Sequence, residues 1–326
     1  MSYEIPIQVA LLLASFGITV VWGVLAIPIL KNLKVGQNVR EDGPQTHLSK
    51  AGTPSMGGII FLVPVAIIIL GLISKYSGAA KTVMPLLIVM LGYAAIGFTD
   101  DYIKVVKKRS TGLLAWQKML LLLIVSGGFV YYITEILNID TTTYVPILDI
   151  YFDLGKWYIP FALLVLLSTT NVVNITDGLD GLATGIMIAI MVFFTVVGIM
   201  LQNSAITMFC AVLTGACLGF LVYNINPARV FMGDTGSLAL GGVMGALALI
   251  LQMPLILIVV AGVCVIEALS DIIQVGYFKL SKGKRIFKMA PLHHHFELCG
   301  MSETKVVWMF WIATVVLCVA GIFLIP

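Results

Sequence analysis

"AAIGFTDDYIKVVKKRS", residues 94–110, closes an apolar run on two adjacent carboxylates, Asp100 and Asp101, and then on Lys104, Lys107, Lys108 and Arg109. The lysines suit the negative end of a helix that meets water, and the carboxylates oppose it. Charges at a membrane helix end can simply be solvated at the interface, and an Asp100–Lys104 ion pair at i, i+4 offsets part of the cost. Asp101 then points elsewhere. Two carboxylates this close repel unless a cation lies near them, and Mg²⁺ takes hard oxygen ligands of this kind. The stretch predicts a membrane-spanning helix that delivers acid to one membrane face.

The rest of the chain extends that pattern. Of its 326 residues, 60% are hydrophobic and only 11% charged, with a mean hydropathy of +1.06, far from soluble domains. Runs long enough to cross a bilayer fall near 6–30, 56–73, 83–98, 113–134, 157–173, 181–201, 205–223, 236–251, 254–278 and 304–325. The first is too long for a signal-peptide core, and Glu4 stands where a basic flank is expected, so it reads as a retained span. The expectation is an all-α polytopic membrane protein of about ten transmembrane helices, one integral-membrane domain over 1–326. Four of the five cysteines lie inside apolar runs and none forms a CxxC pair, which argues against a disulfide framework or a zinc site.

Sixteen of the 19 basic residues fall in the odd-numbered connections, Lys34, Arg40, Lys108 and Arg109 among them, leaving only Lys75, Lys81 and Lys156 on the other side. The positive-inside rule then puts the odd loops in the cytoplasm and both termini outside. The net charge of +3 reflects this topology and gives no support to nucleic-acid binding.

On this topology five polar segments share one surface: "HLSKAGTPSMGG" before the second span, "TDDYIKVVKKRS", "VNITDGLD", "YNINPARVFMGDTG" and "GKRIFKMAPLHHHFE". Asp234 sits in a Gly-Asp-Thr-Gly turn that opens a helix, where backbone N–H groups can hold phosphate and a carboxylate can hold the bridging metal; a plain N-cap is the alternative. Asn171, Asn174, Asp177 and Asp180 surround two glycines; the acids can cap the next helix, which leaves the amides unexplained. Lys50, with Thr53 and Ser55, offers a cation and two hydroxyls to a phosphate or nucleotide, although alone it reads as a positive-inside lysine. Phe231 is either packing or a platform for a base. His293, His294 and His295 are weak metal candidates as a bare triplet and fit a phosphate neighbourhood or a solvated loop. Glu267, Asp271 and Gln274, at i, i+4 and i+7, form a polar stripe in the ninth span, from which an ion-coupled transporter reading would start.

Taken together, "GFTDDYIKV", "NVVNITDGLDGLATG", "NPARVFMGDTGSLALGG" and "APLHHHFE" resemble the polyprenyl-phosphate N-acetylhexosamine-1-phosphate transferase superfamily. "PLHHHFE" and "KAGTPSMGG" are similar to its branch whose sugar is N-acetylmuramoyl-pentapeptide, and the resemblance runs from about residue 45 to 305. It implies transfer of a phospho-sugar from UDP-MurNAc-pentapeptide to undecaprenyl phosphate, with Mg²⁺ as cofactor, in a bacterial cytoplasmic membrane and as a homodimer. By the same resemblance Asp234 is a metal ligand, with Asp100 and Asp101 as further candidates for metal, catalysis or lipid-phosphate handling, and Asn174 and Asp177 are active-site positions. It places Phe231 against uracil and Lys50, Gly178, Leu179, Asp180 and Gln274 on the nucleoside side. Asn224, Lys104, Lys118, His293 and His294 are placed around the phosphates.

Charge chemistry points the same way. Two polyanions must meet, so a divalent cation and lysines are needed for an in-line displacement. A phosphate monoester is mostly dianionic at neutral pH and needs little general base, which favours direct attack in one step, with Asp100 positioning the lipid phosphate, over a covalent aspartyl intermediate. The rivals are a sister enzyme that uses UDP-GlcNAc and the transporter.

Overall fold

A computed structural model describes residues 6–32, 50, 52–107 and 111–326; Glu4, Lys34, Arg40, Lys108 and Arg109 from the topology argument lie outside them. Its long helices are α1 (Ile7–Asn32), α2 (Gly58–Lys75), α3 (Ala80–Val106), α4 (Ala115–Glu135), α5 (Tyr158–Thr176), α6 (Leu182–Met200), α7 (Ser204–Asn224) and α8 (Gly233–Ile250). They are followed by α9 (Leu257–Val260), α10 (Gly262–Leu280), α11 (Leu292–Leu298) and α12 (Glu303–Ile322). Nine helices among the described residues are long and apolar enough to cross a membrane, and ten if α9 and α10, with the turn before them, form one bent span. The expected ninth span is therefore not straight: its halves meet at 84°. The backbone leaves helical conformation at Ala261 (φ −97°, ψ 22°), and the bend frees α10 to present its polar stripe to the segment after it.

One short hairpin joins the all-α frame. β1 (Thr142–Val145) pairs antiparallel with β2 (Ile150–Asp153), Thr142 opposite Asp153, in a loop whose β-branched and aromatic residues suit a strand. Tyr144 N–H donates to Gln252 O at 2.7 Å, tying the hairpin to the turn after α8.

α7 and α8 are the centre, with 83% of each span buried, against 22% for α1, whose outer face exposes Leu13, Val21 and Val24. Helices in lipid gain little from hydrophobic contact with one another, so close approach depends on small residues and satisfied hydroxyls. Ser15 donates to Val212 O at 2.7 Å and Tyr223 to Val20 O at 2.6 Å, binding α1 to α7. At Gly97 of α3 an added Cβ would overlap the backbone carbonyl of Asp234, so the α3 and α8 backbones approach closely there. Gly97→Ala is expected to cost about 1–3 kcal/mol by overpacking and to lower both the melting temperature in detergent and turnover. Gly127→Ala on α4, where an added Cβ meets nothing within 4 Å, is the control and should melt no lower than the parent protein.

Candidate active site

The first turn of α8 organises the charged end of the bundle. A helix N-terminus presents N–H groups without intrahelical partners. Asp101, near the end of α3, accepts from Asp234 N–H at 3.2 Å, Thr235 N–H at 3.0 Å and the Thr235 hydroxyl at 2.8 Å. A carboxylate that is unfavourable at the negative end of its own helix thus serves the positive end of another. Gly233, at φ +72°, allows the turn; a Cβ there would lie 2.5 Å from Asp101 Oδ2 and 2.9 Å from Ser55 Oγ.

Asp234 projects from that turn between cations and an amide. Its Oδ2 pairs with Lys118 Nζ at 2.8 Å and Lys104 Nζ at 3.2 Å, and its Oδ1 accepts from Asn174 Nδ2 at 2.9 Å. The same Asn174 amide reaches Ser237 Oγ at 2.9 Å, which couples the end of α5 to α8. Asp100 forms the expected i, i+4 pair with Lys104 at 2.7 Å, and its other oxygen accepts from Leu113 N–H at 2.8 Å. Asp177, partly accessible, follows α5; surrounding protein and then the charges of Asp234, Asp101 and Asp180 hold its carboxyl well above the usual carboxylate range.

One oxygen each from Asp100, Asp101 and Asp234 lies within 4.8 Å of the others. Three carboxylates against Lys104 and Lys118 leave one negative charge before Asp177 is counted. Hard oxygen donors with a residual negative charge fit a small divalent cation of the Mg²⁺ type.

A second group lies beside the first. Lys50 pairs with Asp180 at 2.8 Å and with Glu303 at 2.6 Å. Asp180 N–H donates to Glu303, while Asn226 Nδ2 and Ala228 N–H donate to Asp180 Oδ2, each at 3.0 Å. Thr53 N–H donates to Lys50 O. The next residues lie against the α7–α8 loop, with Phe231 N–H donating to Pro54 O at 2.8 Å and Gly57 N–H to Phe231 O at 2.8 Å. Phe231 is partly exposed, Gly178 exposed, and Ser55 and Leu179 buried.

Several expected site residues are engaged within the protein. Asn224 accepts from the Thr184 hydroxyl at 2.6 Å and donates to Val230 O at 3.0 Å, fixing the loop that carries Phe231. Gln274 donates to Phe287 O and accepts from Ile286 N–H and Phe287 N–H, all at 3.1 Å. His293 is buried with its Nδ1 2.8 Å from Glu267, and His294 Nδ1 lies 2.9 Å from Glu297. Glu267 thus holds the first turn of α11 and Gln274 the segment before it, on the stripe from which the transporter reading started. Glu303, Asn226 and Thr235 were not singled out from the sequence. The only local signal for Glu303 is an acid in the first turn of a helix, which reads equally as a complement to the dipole.

A family model described as glycosyl transferase family 4 matches residues 83–252, and phospho-N-acetylmuramoyl-pentapeptide-transferase signature 1 matches residues 50–62. A phospho-N-acetylmuramoyl-pentapeptide-transferase of Acetivibrio thermocellus is 50% identical over 324 residues, 99% of this chain and 97% of its own length. One of Clostridium kluyveri is 50% identical over 309 residues, 95% of this chain and 96% of its own. One of Clostridium perfringens (strain 13 / Type A) is 47% identical over 313 residues, 96% and 97% of the two chains.

Proposed function

The chain belongs to the phospho-N-acetylmuramoyl-pentapeptide transferases of glycosyl transferase family 4, and from that premise we propose how its residues carry out the transfer. It is a multi-pass membrane enzyme of peptidoglycan synthesis that moves phospho-N-acetylmuramoyl-pentapeptide from its UDP carrier to a lipid phosphate, giving lipid I and UMP. In our reading the carrier is undecaprenyl phosphate, the charged end faces the cytoplasm of a bacterial cell, and the enzyme works as a homodimer.

The observation that carries the site assignment is the grouping of Asp100, Asp101 and Asp234 within 4.8 Å beside Lys104 and Lys118. An oxygen of the lipid phosphate attacks the β-phosphorus of the donor, the bond from that phosphorus to the bridging oxygen breaks, and UMP leaves with the electron pair. Asp234, with Asp100 and Asp101, would hold Mg²⁺. When bound, the ion supplies charge neutralisation and Lewis-acid polarisation of phosphoryl oxygens.

Lys104 and Lys118 neutralise the two approaching polyanions, and Asn174 keeps Asp234 oriented. Asp100 and Asp101 are 3% and 4% exposed, and each carboxylate is held in place by fixed donors. Burial and fixed orientation suit metal ligands and disfavour a nucleophile that must reach phosphorus, which supports direct attack over an aspartyl intermediate. Asp100 holds Lys104 where the lipid phosphate meets it. Lys50, Thr53, Ser55, Phe231 and the 178–180 segment form the nucleoside side, and His293 and His294 lie near the phosphates.

The test is UMP release by purified protein from UDP-MurNAc-pentapeptide and undecaprenyl phosphate. Release is expected with Mg²⁺, to stop with EDTA and to return when Mg²⁺ is added in excess. Release that ignores EDTA would remove the metal from the site. Release from UDP-GlcNAc at a comparable rate would favour the sister enzyme.

A further inference from the structure

Glu267 is fully buried in α10, and both of its carboxylate oxygens are taken by one residue. Oε1 accepts from the backbone N–H of His293 at 3.1 Å, and Oε2 lies 2.8 Å from His293 Nδ1. The first contact satisfies an orphan amide in the first turn of α11, and the second fixes the ring. A carboxylate accepts, so Nδ1 carries a proton and Nε2 is left as the ring's remaining hydrogen-bonding atom. His293 is 1% exposed, and Nε2 has no partner among the described residues. It is aimed at Gly178, where an added Cβ would overlap it. A buried polar atom without a partner is destabilising, because it has given up water and gained no hydrogen bond in exchange. Gly178 itself is exposed, so only its backbone separates Nε2 from the open side of the candidate nucleotide site.

We propose that Glu267 is the positioning residue of His293, holding Nδ1–H so that Nε2 stays in reserve beneath Gly178 as a hydrogen-bond partner for the bound nucleotide sugar. The inference rests on the transferase reading and on the placing of the nucleotide beside the 177–180 segment. Displacement of the Gly178 backbone by the substrate is enough to give Nε2 its partner. The energy of the orphan atom in the free enzyme then favours the bound state.

The experiment uses the full chain in detergent with three readouts. In ¹⁵N-histidine-labelled protein, with His293 identified by its loss in His293→Asn, Nδ1 is expected to be protonated in the wild type and unprotonated in Glu267→Gln. The amide –NH₂ demands an acceptor from the ring where the carboxylate demanded a donor. Glu267→Gln is expected to lower kcat/KM for UDP-MurNAc-pentapeptide about 10- to 100-fold, with KM for undecaprenyl phosphate unchanged. In a His293→Asn background the same substitution should add less than about threefold, because residues that act through one another are not additive.

Nδ1 protonated in both proteins, additive losses, or equal effects on the KM of both substrates would overturn the proposal. Should the amide variant not fold, Glu267→Asp keeps two acceptor oxygens on a shorter stem. Nδ1 should then remain protonated while kcat/KM falls, and unchanged kinetics overturn the proposal. The labelling arm needs no turnover. Absence of UMP release by the wild type would count against the transferase reading alone.

Discussion

Replacing Asp234 by asparagine is expected to lower UMP release by on the order of a thousandfold or more while the chain remains folded. Asparagine has the same shape and can still accept from Asn174 through its carbonyl oxygen. Its –NH₂, however, would face the ammonium groups now 2.8 Å and 3.2 Å from Oδ2, which must turn away. The triad also loses the charge that left it net negative, and with it the reason for a divalent cation to bind. The measurement pairs UMP release with thermal unfolding in detergent. Activity within tenfold of the parent would take Asp234 out of the metal site, and a collapsed melting curve would make its role structural.

Asp101→Ala is expected to lose both stability and turnover, unlike Asp100→Asn. The three hydrogen bonds that Asp101 accepts all come from the first turn of α8. Removing a buried charged cap should cost about 2–4 kcal/mol, visible as a lower melting temperature. Turnover falls as well, because the same turn carries Asp234. Asp100 accepts from Leu113 N–H and pairs with the Lys104 ammonium, and caps no helix turn through these contacts, so Asp100→Asn should leave the melting temperature near that of the parent and act on turnover. Equal melting temperatures for Asp101→Ala and the parent would refute the capping role. The two neighbouring carboxylates make different contacts, Asp101 with the first turn of α8 and Asp100 with Lys104 and Leu113.

Two local features of this arrangement are legible in the chain itself. The Asp100–Lys104 pair follows from one turn of helix, and the Gly-Asp-Thr-Gly turn from the chemistry of a helix start. Less legible was the assignment of partners. Nothing near Asn224 or Gln274 in the chain says that their amides hold loops, since the groups they bind belong to neighbouring elements. The stripe of Glu267, Asp271 and Gln274 looked like an ion path because periodicity reports which residues share a face, and says nothing about what that face meets.

The all-α polytopic architecture, with nine or ten spans, and the gathering of five polar segments at one end were readable along the chain. Those follow from the length of apolar runs and the placing of charge, which are properties read along the chain. The break at Ala261, the hairpin at 142–153, and the pairings of Asp101 with α8, Lys50 with Glu303 and Glu267 with His293 came from packing in three dimensions. Those partners lie between 26 and 253 residues apart. A hydrogen bond over that separation depends on which helices are neighbours and how close their small residues let them come, which no local pattern encodes.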